Sequence, residues 1–224
     1  MYMKIINFST FFILFFVALR FLETKGIEMM MEDSRQIIYS RNTLEFVTVA
    51  VEFCGYLEQS EGRKRVEFVD TMLKLMPLLY LKASLVEKAE GSEDFYPEEF
   101  VTEQDYEFVR TVLAGVMGED DDYLDFYNED ARFSDEPVAK AISEDLADLY
   151  QAVKNFTEAY KSGLDENMLE AVAAVKDGFE LYWGQTLTNA MRALHRARYT
   201  LKDEDDDCGC DDEDCGCHHH EHCD

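Results

Sequence analysis

Cysteine and histidine are concentrated at the end of the chain, in the stretch CGCDDEDCGCHHHEHCD. Cys-Gly-Cys occurs at Cys208/Cys210 and again at Cys215/Cys217, with four acids between, and His218, His219, His220, His222 and Cys223 follow. One glycine between two thiols lets both sulfurs turn toward the same ion, and four such sulfurs satisfy a tetrahedral site. With four imidazoles and a fifth thiol added, the donor set favours Zn²⁺, with Ni²⁺, Cu⁺ or Cd²⁺ less favoured, over Mg²⁺ or Ca²⁺. The intervening carboxylates disfavour thiolate formation and so weaken these cysteines as nucleophiles, which argues against thiol–disulfide catalysis. A divalent ion reverses that penalty by compensating both carboxylates and thiolates. The plainer reading is a solvated acidic tail whose metal binding has no biological role.

The remaining sequence offers little competing chemistry. Only Cys54 and His195 represent their residue types before the tail. A carboxylate-bridged di-iron bundle needs two Glu-x-x-His motifs, so one histidine is too few. A cysteine on the apolar side of a helix is usually a small buried residue, and a histidine near a helix C-terminus has an electrostatic reason to be there. Trp183, Tyr182, Phe179 and Tyr199 recur at helical spacing and read as core rather than as a pocket lining. Glu45 with Glu52, and Glu144 with Asp145 and Asp148, read as solvated helix faces. No glycine-rich phosphate loop or zincin motif is present. The chain therefore has no recognisable catalytic constellation and is expected not to be an enzyme.

Charge separates the chain into parts. Of 224 residues, 48 are acidic and 21 basic, a net charge of −27. Residues 203–224 hold 11 acids and no Lys or Arg, yet the remainder also carries an acid excess. The denser basic groups are Arg63-Lys64-Arg65 and Arg192, Arg196 and Arg198. That is too little clustered cation for phosphate-backbone binding, so direct nucleic-acid binding is not expected. Cations or basic protein surfaces are the partners that such a surface favours.

Three segments follow: an apolar N-terminal extension at 1–28, a helical body at 29–202 and the acidic Cys/His tail at 203–224. The apolar run IINFSTFFILFFVAL is shorter than the roughly 20 residues needed to span a bilayer, and no small-x-small cleavage site follows it. Its Phe-, Ile- and Asn-rich composition reads as an over-extended start ahead of Met29, Met30 and Met31. A membrane anchor over residues 5–22 is the alternative, and a cleaved signal fits least. A body with one cysteine suits a reducing cytoplasm, which is the expected location unless residues 5–22 serve as an anchor. The tail cannot bury apolar area and is expected to be disordered without a ligand.

The elements that position any body site are helices. Asn42-x-x-Glu45 reads as a helix start, with Val47, Ala50, Val51, Cys54 and Leu57 in phase and Gly62 as the stop. A second helix is expected over 63–90, burying Val66, Val69, Leu73, Met76, Tyr80 and Leu81, with a kink at Pro77. Thr102 and Asp105 predict the capped start of a third, which ends at Gly118. The acidic stretch after it reads as a connection. A fourth helix is expected from Asp135 or Pro137 to about Lys161, with Val138, Ile142, Leu146, Leu149, Val153 and Phe156 facing inward. A fifth is expected from Asp165 to about Tyr199, with an interruption at Gly178 or Gly184. Four to five amphipathic helices with short connections predict an all-α antiparallel up-and-down bundle.

The segments QIIYSRNTLEFVTVAVEFCGYLE, FVDTMLKLMPLLYLKASL, ISEDLADLYQ and LYWGQTLTNAMRALH resemble DUF5063, a helical domain-of-unknown-function family of anaerobic gut bacteria. The resemblance covers about residues 36–199 and none of the first 28. It implies a four-helix up-and-down type of fold and carries no catalytic residues with it. It also implies that an acidic Cys- and His-containing tail is a recurrent family feature. On these grounds the expected function is a non-enzymatic cytoplasmic helical module whose tail captures, buffers or delivers a transition metal. An adaptor in which the bundle binds a protein partner and the tail is accessory is the second expectation. An enzyme with an unrecognised pocket is the third.

Overall fold

The computed structural model describes residues 32, 34–91, 98–125 and 138–199. The apolar extension with its anchor reading, and the tail with its expected metal binding and disorder, all lie outside the described residues.

Helix α1 spans Arg41–Glu58. Its cap is Ser40, not Asn42: the Ser40 hydroxyl accepts from the Thr43 amide at 3.2 Å. The Thr43 hydroxyl in turn donates to the Ile37 carbonyl at 2.8 Å, which ties the incoming turn to the helix and leaves Asn42 inside the first turn. Gly62, at φ 73°, turns the chain into α2, Arg65–Leu85. The buried face of α2 is Phe68, Val69, Met72, Met76, Leu79 and Ala83. Tyr80 and Leu81 are exposed rather than buried. The stretch MLKLMPLLYL is apolar nearly all round, so its periodicity supports several stripes, and packing selects one of them. The helix runs through Pro77 and ends at Leu85 rather than near Glu90. There Lys176 donates to the Ala83 and Ser84 carbonyls, both at 3.2 Å, and satisfies acceptors that a helix end leaves open.

Helix α3, Glu103–Met117, starts on the predicted capping box. Thr102 accepts from the Asp105 amide, and the Asp105 carboxylate accepts from the Thr102 amide. It ends at Gly118, whose φ of 59° an L side chain adopts only with strain. A 3₁₀ turn, Gly118–Asp120, leads into strand β1, Asp122–Asp125. β1 pairs antiparallel with β2, Val138–Ala141, in the register Asp122↔Ala141 to Asp125↔Val138.

This hairpin corrects the expected start of the fourth helix at Asp135 or Pro137. Helix α4 begins at Ile142 and runs to Lys161. Ala141, at the cap position, has no side-chain acceptor, so Asp121 supplies one. Its carboxylate accepts from the Ser143 amide at 2.7 Å and the Ser143 hydroxyl at 2.6 Å, and its carbonyl accepts from the Ile142 amide at 2.8 Å. Helix α5, Asp165–Gly178, continues through a π turn, Phe179–Trp183, into α6, Gly184–Tyr199. The interruption expected at Gly178 or Gly184 is thus a widening between those two glycines, not a break.

The fold is all-α, with one two-stranded hairpin among the described residues. Cross-links at the helix ends fix the antiparallel sense: Lys82 near the end of α2 meets Glu45 near the start of α1 at 2.5 Å. Likewise, Asn155 late in α4 accepts from the Phe100 and Val101 amides just ahead of α3. α4 is the central helix and packs on α1, α3, α5 and α6. At the centre Phe46 meets Phe156 at 5.0 Å and Trp183 at 6.4 Å between ring centroids. Phe46, Phe53, Phe68, Leu57, Met72 and Leu146 are fully buried, and each such side chain contributes about 1.5–3 kcal/mol of transfer free energy.

Candidate functional site

The nine predicted donors, Cys208, Cys210, Cys215, Cys217, His218, His219, His220, His222 and Cys223, lie outside the described residues. Among the described residues no group of three or more His, Cys, Asp or Glu side chains is placed to hold a metal ion.

The other residues singled out in the sequence are dispersed. Cys54 is buried in α1, and burial pushes its thiol up to about 12. His195 lies on the exposed side of α6, its ring 4.7 Å from that of Tyr199. Glu45 accepts from Arg41 at 2.6 Å and from Lys82 at 2.5 Å, which holds its carboxyl below the usual range, whereas Glu52 is exposed. Phe179 and Trp183 pack together at 4.8 Å, but Tyr182 and Tyr199 are 72% and 64% exposed and take no part in the core. Asp148 accepts from the Tyr106 hydroxyl at 2.8 Å, and Glu144 is exposed.

Asp145 is the exception to the solvated-face reading. It is buried with Asp125 where the hairpin meets α4 and α6. The Tyr123 hydroxyl donates to Asp145. Lys140 reaches both carboxylates, at 3.8 Å from Asp125 and 3.9 Å from Asp145. From α6, Asn189 donates to Asp125 at 3.3 Å and Arg192 at 3.4 Å. Burial raises the Asp145 carboxyl to about 6, against the opposing pull of the Tyr123 bond and of Lys140. The Tyr123 hydroxyl is pushed well up, first by burial and then by its bond to Asp145. Charge balance and donor count make this cluster a clamp that holds the hairpin on the bundle. One signal of it is legible in the sequence: Asp145 falls in phase with Ile142, Leu146 and Leu149, an acid on an apolar stripe.

Two surface recesses accompany it. Leu73 of α2 and Thr188, Met191, Arg192, His195 and Tyr199 of α6 line a groove of about 620 Å³. A second, of about 470 Å³, lies beside α3 and α4 and includes the exposed rings of Phe100 and Phe108. Its cation, Lys154, pairs with Glu58 at 2.9 Å and Glu158 at 3.3 Å, so its charge is spent within the wall.

The chain matches the model of the family described as Domain of unknown function (DUF5063) over residues 37–200. It is similar to the crystal structure of protein BF1032 from Bacteroides fragilis, a structural-genomics target. That chain is 48% identical, with 73% of the present chain and 99% of the other covered and a TM-score of 0.65. No curated protein matches the chain. The matched region takes in α1 to α6 and the hairpin, and by that match the chain belongs to the DUF5063 family.

Proposed function

We propose that this protein is a non-enzymatic helical module of the cytoplasm whose C-terminal tail binds a transition metal, Zn²⁺ foremost, for capture, buffering or delivery. One observation carries the reading: of the 11 Cys and His side chains in the chain, nine fall in residues 208–224. The two in the body are a buried thiol and an exposed imidazole on separate helices. Soft and borderline donors at that density select Zn²⁺, Ni²⁺ or Cu⁺ over oxygen-preferring ions. Binding displaces thiol protons, so affinity rises with pH.

The test uses the full chain, purified under reducing conditions, with metal content measured by mass spectrometry and Zn²⁺ affinity by competition with a chromophoric chelator. The unaltered chain is expected to carry stoichiometric metal, and a variant with the five tail cysteines changed to Ser and the four tail histidines to Ala is expected to carry none. Equal metal content in the two proteins rejects the proposal.

A second reading, the bundle as adaptor for a protein partner, is supported by Leu78, Leu81 and Leu85. These leucines stand 40–50% exposed at helical spacing on the outer side of α2. Retention of partners by a tail-less body in pull-down from the native host separates this reading from the first.

A further inference from the structure

The 470 Å³ recess beside α3 and α4 brings exposed aromatic rings together with an excess of carboxylates. Phe100 is 38% and Phe108 55% exposed in its lining, while Val101 and Val109 beside them are buried. Three acids, Glu58, Asp105 and Glu158, share the lining with one cation, Lys154. Lys154 meets Glu58 at 2.9 Å and Glu158 at 3.3 Å, and its charge also reaches Asp105. Three carboxylates against one ammonium leave an excess of two negative charges. Outside the lining, exposed Lys161 meets Glu158 at 3.3 Å and adds a cation, and exposed Glu99, next to Phe100 in the chain, adds an acid. The excess of two therefore stands.

We propose that this recess is a docking site for an arginine side chain carried by a basic segment of a partner protein. Charge complementarity supports that occupant, because the lining's own lysine leaves two carboxylate charges unbalanced and the chain as a whole carries −27. Lys154 also shows what these carboxylates accept, a cation on a long apolar stem. The exposed rings narrow the chemistry further. A guanidinium stacks flat on an aromatic face while its fork reaches a carboxylate, and its stem covers apolar surface that would otherwise meet water. A neutral apolar segment would cover the rings but bury the charged wall without compensation.

The docking does not depend on the tail's metal reading, and its test is run on the full chain in chelator and reductant. The probe is a short capped peptide of alternating glycine and arginine, with a citrulline peptide of the same length as the uncharged control. Backbone amide spectra separate the recess from the acidic residues 203–224, which also attract the probe. Amides of 100–109 and 150–158 are expected to shift saturably with the arginine peptide and to stay in place with the control. Phe108→Ala, a change at an exposed ring, is expected to weaken binding at these amides about threefold to tenfold. Glu158→Gln removes one of the unbalanced charges and is expected to weaken it in the same sense. No saturable shift at these amides overturns the proposal. So do equal shifts in Phe108→Ala and the unaltered chain, which reduce the effect to diffuse attraction by an acidic surface. Tighter binding of spermidine than of the peptide assigns the recess to a free polyamine, and shifts that follow protein concentration without any probe assign it to a second copy; either result overturns it.

Discussion

At the scale of single residues, the two kinds of cysteine in this chain answer to different physics. Burial raises the Cys54 thiol to about 12, so almost none of it is thiolate at neutral pH. In native metal-free protein, alkylation followed by mass spectrometry is therefore expected to label five of the six cysteines. The sixth is expected to react only after unfolding, and fast labelling of Cys54 in the folded state contradicts its placement. Asp145 makes a prediction about pH. Its folded-state carboxyl, near 6, lies above the ordinary 3.8, so its contribution to stability is full below the ordinary value and is lost as pH rises through about 6. The neighbouring groups are Tyr123, Lys140, Asp125 and Asp148, and Asp145→Asn keeps the shape while removing the titration. The stability difference between wild type and Asp145→Asn, measured by denaturant unfolding at pH 4 and pH 7, is expected to move in favour of wild type at the lower pH. The expected size is on the order of 2 kcal/mol. Taking the difference cancels the salt-bridged carboxylates such as Asp165 and Glu45, which are lowered and act in the opposite sense.

Among the elements, the π turn is the most constrained. A Cβ at Gly184 would collide with the Phe179 carbonyl oxygen and stand 3.1 Å from the Phe179 ring, both held by the helix and by Trp183. Trp183 also donates from its indole to the Val175 carbonyl at 3.0 Å. Gly184→Ala is expected to lower stability by about 1–3 kcal/mol despite alanine's better helix propensity, as read by thermal unfolding. An unchanged or raised midpoint would show that the turn is not locked. At the start of α3, Thr102→Ala removes the hydroxyl of a two-sided capping box and is expected to cost about 1 kcal/mol in the same assay. That box was legible because cap, spacing and stop codes are local: Thr102, Asp105 and Gly118 suffice. The pair of glycines around Phe179–Trp183 was legible as an irregularity, though not as a π turn, since only packing decides whether a helix breaks or widens. The hairpin was not legible. Its strands have four residues each, are separated by 12 residues of sequence, and carry no alternating apolar pattern in VAKA. Asp121 caps a helix that starts 21 residues later, a non-local bond that no window of sequence contains.

For the whole molecule, the family match lies on the helical body, at residues 37–200, while the densest cluster of thiols and imidazoles lies beyond it in sequence. The body spends its polar groups on its own construction. Lys176 closes α2, Asp121 opens α4, and Asp125 and Asp145 hold the hairpin. The tail's thiols and imidazoles, proposed above as metal donors, lie outside the described residues. A net charge of −27 adds a long-range attraction for cations that falls with salt. The central claim therefore rests on the tail and is measured there. Native mass spectrometry of the full chain, titrated with Zn²⁺ under reducing conditions beside the variant lacking all nine tail donors, is predicted to show a discrete metal-bound species for the first protein alone. The same occupancy in both, or none in either, would contradict the account.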